Sequence, residues 1–250
     1  PTTGRYSNYP VENRCNDGKE AGEIKGKLVD GWYLSSDIGC VFIALDGISH
    51  AYEILKTDAL RGLILEMSDA FFSIDKIKAS FQTHGTLTAL RGILRFALQD
   101  NATDLIEKVK EVFTIYTTYG MTENYGNYNW FGRPLWTEPC AVIDSFILSC
   151  QLFQVTNQKE YLDLAQNIWY NALGYAQRGN GGFGTDVCCG SKAPFLRVHG
   201  YEAFWCCTMR GGEGLAKMHD FLYREADDTV FVNFYEDSIL KSRNIEFILS

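Results

Sequence analysis

The chain has 250 residues, 46% of them hydrophobic, and a formal charge of −8, enough for one large domain or two small ones with a real core. That acidic balance argues against a nucleic-acid or anionic-membrane partner, because both call for a basic face. The longest apolar runs, such as Cys40 to Leu45, fall far short of the roughly 20 residues of a membrane span, so a soluble protein without a membrane partner is expected, with its compartment, cytoplasm or periplasm, left open.

Residues 1–36 are polar and glycine-rich without sustained periodicity and read mainly as loop. The chain opens on Pro1, which reads as processed or cut from something longer. From Asp37 the apolar spacing becomes helical. Ile38, Phe42, Leu45, Ile48 and Tyr52 fall at three- and four-residue steps, "KTDA" interrupts, and Leu60, Leu63, Ile64, Met67 and Phe71 resume. The unit recurs twice. Leu87, Leu90, Ile93, Leu94 and Leu98 are followed by the break "QDNATD" and then by Leu105, Ile106, Val109, Val112 and Ile115. Val142, Phe146, Leu148, Leu152 and Phe153 precede "VTNQKE", after which Tyr161, Leu164, Ile168 and Leu173 continue. Breaks roughly 45 to 57 residues apart are the period of an array of helical hairpins, each burying its faces against its neighbours.

Two long connections rich in glycine and aromatics, residues 119–136 and 178–205, separate these units, and loops of that length in a compact domain usually carry function. A seventh helix follows, running through Leu215, Met218 and Leu222. Alternation of Val230, Val232 and Phe234 against Phe231, Asn233 and Tyr235, and then "NIEFILS", mark the start of a β segment. The expectation is an all-α protein, an (α/α) toroid of helical hairpins across residues 1–227, with a β segment beginning at 228–250.

Eight cysteines first invite a disulfide reading. Adjacent pairs, Cys188-Cys189 and Cys206-Cys207, do not easily bridge within themselves, and a large helical domain lacks the character of a stapled secreted fold. A metal reading draws on "LWTEPCAVID", where Glu138 and Cys140 flank Pro139 at the start of a helix. With Cys206 and Cys207 opening the seventh helix, three cysteines and a glutamate could meet from two helix N-termini as a tetrahedral zinc set, their thiolates favoured by the helix ends. Ordinary buried thiols remain the plain alternative, and Glu138 could equally be a first-turn acid. "GNGGFG" (179–184) matches a nucleotide-binding pattern but follows a helix rather than a strand, so flexibility explains it. The Asn101-Ala102-Thr103 sequon matters only for a protein secreted by a eukaryote.

Glu138-x-Cys140 opening one helix, an aromatic-rich loop, Cys206-Cys207, another helix and a "VFVNFY" strand together resemble the cysteine-dependent β-L-arabinofuranosidases of glycoside hydrolase family 127. The histidine-led stretch "THGTLTALRGILRFALQDNATDLIEKVKEVF" is similar to that family's hairpin ahead of its catalytic loop, so the likeness runs from about Thr83 to Tyr235. The resemblance implies a six-hairpin glycosidase-like catalytic domain. It further implies a zinc ion held by Glu138, Cys140, Cys206 and Cys207, with Cys206 the nucleophile. It assigns the general acid/base to Glu123 in "TENYG", although the interval to Glu138 is about one residue shorter than in the family. His84 falls at the position of the family's helix-start histidine, while His199 has no firm counterpart.

Implied by the same resemblance is a carbohydrate partner, a terminal L-arabinofuranosyl or similar sugar on plant-type glycans, against which Trp130, Phe131, Trp136 and Trp205 are candidate stacking surfaces. A 14% aromatic content suits a sugar cleft, although many cores are as aromatic. A zinc-stabilised binding scaffold and a carboxylate-only toroid glycosidase are the competing readings, and a homo-oligomer is left open.

Overall fold

A computed structural model of the chain describes residues 28–29, 32–33, 37–134, 137–187, 197–198, 206–227, 229–242 and 245–250. Within the region expected to be loop, β1 (Leu28–Val29) and β2 (Trp32–Tyr33) pair antiparallel. A 3-10 turn, Cys40–Ile43, leads into α1 (Ala44–Leu55), which α2 (Asp58–Ser73) follows. Next come α3 (Thr83–Asp100) and α4 (Thr103–Tyr119), then α5 (Pro139–Thr156) and α6 (Lys159–Asn167). α6 runs on through a π-helical stretch, Ile168–Leu173, into a last turn, α7 (Gly174–Ala176). β3 (Asp186–Val187) pairs with β4 (Arg197–Val198), and α8 (Cys206–Phe221) follows.

The three expected breaks are the three hairpin turns, and they share one device. Lys56, Asn101 and Asn157 close α1, α3 and α5 in the left-handed conformation, and each N–H reaches back to a carbonyl of the last turn. Asparagine suits that conformation because its short polar side chain tolerates positive φ.

Burial separates the helices into two layers. α3 packs against α1 on one side and α5 on the other, and α5 packs against α8. α2, α4 and α6 each lie against the helix that precedes them. The outer helices are amphipathic. α4 buries Leu105, Val109, Val112, Phe113 and Tyr116 along one stripe, the pattern of a helix with one wet face. Of the inner helices, α3 and α5 are buried nearly all round, and in α5 every residue from Pro139 to Phe153 except Gln151 is buried, whereas α1 and α8 bury one face each. α5 thus has the length and hydropathy of a membrane span, but it is the core helix of this fold. Leu98, expected on the buried face of α3, is instead exposed, and Phe96 and Ala97 take the core positions.

Such close layering needs small residues at the crossings. A Cβ at Gly92 of α3 would sit 2.5 Å from the Leu45 backbone of α1, and one at Gly211 of α8 would lie 1.9 Å from the Phe183 ring.

After α8 the chain turns to strands. β5 (Tyr223–Ala226) pairs antiparallel with β6 (Thr229–Val232), and β7 (Ser238–Ser242) with β8 (Ile245–Leu249). The first of these hairpins begins at Tyr223, ahead of the expected boundary. Phe234, fully buried, meets Phe146 of α5 edge-on with ring centres 5.7 Å apart, which fastens the β segment to the helical core.

Candidate active site

Three inner helices begin at one place. Glu138 is the N-cap of α5, with Pro139 in its first turn and Cys140 immediately after, and Cys206 and Cys207 open α8. The ligand atoms of Glu138, Cys140, Cys206 and Cys207 all lie within 4.8 Å of one another. Cys140 Sγ is 3.6 Å from Cys206 Sγ and 3.7 Å from Cys207 Sγ. These are not disulfide lengths, which are about 2.05 Å. They match the edge of a tetrahedron built on zinc–sulfur bonds of about 2.3 Å, which is about 3.8 Å. Donor type, number and spacing therefore fit a zinc ion. Among the described residues Cys140, Cys150, Cys206 and Cys207 are free thiols, and of these Cys206 alone is exposed.

The third helix, α3, brings Gln82 at its N-cap and His84 in its first turn. Gln82 Nε2 donates to Glu138 Oε2 at 3.4 Å, so the positive ends of three helix dipoles meet a set of ligands that are anionic when they bind metal.

Electrostatics follow from this crowding. Burial pushes the Glu138 carboxyl up to about 7, against a lowering influence from His84. Hydrogen bonds from Cys140 and Cys207 hold the Cys206 thiol far below its usual range. The bonds to Cys206 and Cys207, with burial, raise Cys140. For Cys207 the Cys140 bond pulls downward, but the bond to Cys206 and burial outweigh it and push the thiol up to about 12.

Behind the cluster lies a charged network absent from the sequence reading. Asp144, fully buried in α5, is 2.7 Å from His84 Nδ1, accepts from Thr88 Oγ1 at 2.7 Å and from Arg91 Nη1 at 2.5 Å, and is bonded by Arg210. Arg91 also donates to Glu213 of α8 at 2.9 Å, and Arg210 pairs with the same carboxylate. Burial raises Asp144, but the His84 bond and the two guanidinium groups outweigh it and depress its pKa strongly. Burial lowers His84 less than the Asp144 bond, with the Asp144 and Glu138 charges, raises it. The available signal was a carboxylate in an otherwise apolar helix, facing an arginine in another buried one.

Glu123 is exposed, on a turn closed by Thr122 and Tyr125. Its loop is tied to the site, since the Glu138 N–H donates to Asn127 Oδ1 at 2.9 Å and the Thr83 N–H to the Asn129 carbonyl at 2.9 Å. Trp130 and Phe131 are buried in the core, with Trp130 Nε1 donating to Asp37 Oδ1 at 3.1 Å. Trp136, Trp205, His199, Cys188 and Cys189 lie outside the described residues. "GNGGFG" forms a turn, with Gly181 at φ 83 and its N–H on the Arg178 carbonyl.

Residues 91–220 match the family described as β-L-arabinofuranosidase, GH127 catalytic domain. Comparison with curated proteins finds no match. Among solved structures, the GH127 β-arabinofuranosidase BT3674 is similar at a TM-score of 0.59 and 16% identity, over 84% of this chain and 36% of that one. Ara127N-Se, a GH127 β-L-arabinofuranosidase from Geobacillus stearothermophilus T6, gives 0.54 and 14%, over 79% and 40%. A GH76A α-1,6-mannanase from Salegentibacter sp. HEL1_6 gives 0.60 and 12%, over 76% and 56%. At such identities the likeness is one of fold, the (α/α) toroid, and the chain spans about half or less of the length of these structures. The match to residues 91–220 takes in more than half of the sequence, with the second half of α3, all of α5, and α8 but for its last residue, and the chain belongs to the family of GH127 β-L-arabinofuranosidase catalytic domains.

Proposed function

We propose that this chain carries the centre of a retaining glycoside hydrolase that releases L-arabinofuranosyl or similar sugars from plant-type glycans, with Cys206 as nucleophile. The observation that carries the reading is the meeting of Glu138, Cys140, Cys206 and Cys207 within 4.8 Å, with Cys206 the exposed member. Four protein ligands would fill a tetrahedral zinc, so the case for reactivity lies in exposure: Cys206 is the member of the set that faces outward.

Zinc, when bound, would keep the thiols ionised at neutral pH and fix their orientation. Cys206 Sγ attacks the anomeric carbon and forms a thioglycoside as the glycosidic C–O bond breaks, and the leaving oxygen takes a proton from Glu123. Glu123, now a carboxylate, removes a proton from the water that displaces Cys206, so two inversions give net retention. Glu138, Cys140 and Cys207 hold their places throughout, and His84, braced by Asp144, faces the sugar. Support for Glu123 comes from its loop being bonded to Glu138 and Thr83, and from its exposure to the solvent side.

The test is hydrolysis of p-nitrophenyl β-L-arabinofuranoside by the zinc-loaded protein. Cys206→Ser removes turnover while circular dichroism shows the helical fold retained, and acid-quenched wild type carries a pentosyl group on the peptide containing Cys206. Turnover that persists in Cys206→Ser sinks the reading.

A further inference from the structure

Zinc-binding carboxylates use one oxygen for the ion and need the other held, because an unrestrained carboxylate loses orientation each time the ion leaves. Around Glu138 the holding groups are identifiable. Gln82, buried at the N-cap of α3, donates from Nε2 to Glu138 Oε2 at 3.4 Å. The Gln82 amide is itself oriented, because Cys40 Sγ donates to its Oε1 at 2.8 Å. An ionised carboxylate only accepts hydrogen bonds, so it selects the NH2 end of the amide, and the Cys40 thiol supplies the donor that the opposite end requires. The Gln82 backbone is also pinned, its N–H on the Ile38 carbonyl at 3.0 Å and its C=O accepting from the Thr86 N–H at 3.1 Å. On the other side Asn127 Oδ1 takes the Glu138 N–H at 2.9 Å, and Asn127 Nδ2 donates to Thr83 Oγ1 at 2.9 Å.

We propose that Gln82 is a positioning residue of the metal centre. Its amide holds Glu138 Oε2 and leaves Oε1 for the ion, and Cys40 sets which way the amide faces. The role rests on the zinc reading above and adds two residues that do not touch the ion. It links the 3-10 turn before α1 and the N-terminus of α3 to a ligand on α5, so metal binding and the packing of three elements are coupled.

Zinc affinity of the purified chain, measured by competition with a chromophoric chelator, tests it without recourse to activity. Gln82→Leu keeps the size of the side chain and removes the donor, and its zinc affinity falls about 10- to 100-fold. Cys40→Val gives a smaller loss, and Cys40→Ser, which restores a donor, returns affinity to near wild type. A residue that served packing alone would lower the melting temperature of the metal-free protein and leave the chelator competition unchanged. Should Gln82→Leu fail to fold, the Cys40→Val and Cys40→Ser pair carries the same contrast. Wild type that binds zinc with Gln82→Leu or Cys40→Val equal to it overturns the positioning role alone. Wild type that binds no zinc overturns the metal centre, and this role with it.

Discussion

Replacing Asp144 with alanine removes the acceptor that holds the inner ends of α3, α5 and α8 in one network. The carboxylate is fully buried and takes bonds from His84, Thr88, Arg91 and Arg210. Arg91, 3% exposed, would keep only Glu213 as an ionic partner and remain inside the protein. Breaking a buried ion pair by deleting one member costs about 3–5 kcal/mol, because the charge left behind is uncompensated. For a chain of this size each kcal/mol lowers the melting temperature by about 2–4 °C, so a fall of about 6–20 °C is expected. Urea unfolding followed by circular dichroism on the metal-free protein measures the energy apart from any ligand effect. Loss of zinc affinity should accompany the loss of stability, since Cys140 and Cys206 lie on the helices that Asp144 ties together. A loss below about 1 kcal/mol, the size expected of an exposed pair, would refute the view that this network anchors the helix ends.

Gly92→Ala places a Cβ against the α1 backbone and should cost about 1–3 kcal/mol by overpacking, read in the same unfolding experiment; an unchanged midpoint would mean the α1–α3 approach is looser than described. Acidity supplies another check. Glu138, raised to about 7 by burial, and His84, raised by Asp144, contribute stability that is fully present below their unfolded values, about 4.3 and 6.5, and lost as pH rises through the folded ones. Asp144, depressed, acts oppositely, its contribution being present above about 3.9 and lost as pH falls further. Metal-free protein therefore weakens between about pH 4.3 and neutrality, while zinc, which needs ionised ligands, stabilises more at about pH 8 than at about pH 6. Equal zinc-induced shifts in melting temperature at the two pH values would contradict this.

Much of the fold was legible because hairpin periodicity is a local signal. The breaks at Lys56, Asn101 and Asn157 fall where apolar spacing lapses, and the helices on either side bury the positions that spacing picks out. Leu98 departs because α3 is buried nearly all round, and a helix covered on most faces has no single stripe to read. The ligand set was legible as residue types at helix starts, Glu138-Pro139-Cys140 and Cys206-Cys207. Its supports were not. Gln82, Asn127 and Arg210 carry no motif, and their partners lie 42 to 66 positions away, apart from the Asn127–Glu138 bond and the Arg210–Glu213 pair. Asp144 was the exception, readable as the one charged residue of α5, whereas Arg91 shares α3 with Arg95 and Asp100.

Zinc content combined with X-ray absorption at the zinc edge bears most directly on the central claim, that the starts of α5 and α8 form one metal centre. One zinc per chain, with three sulfurs at about 2.3 Å and one oxygen at about 2.0–2.2 Å, is the predicted result. Substoichiometric zinc after full loading, a sphere with fewer than three sulfurs, or Cys206 recovered in a disulfide from the fully loaded protein would contradict it.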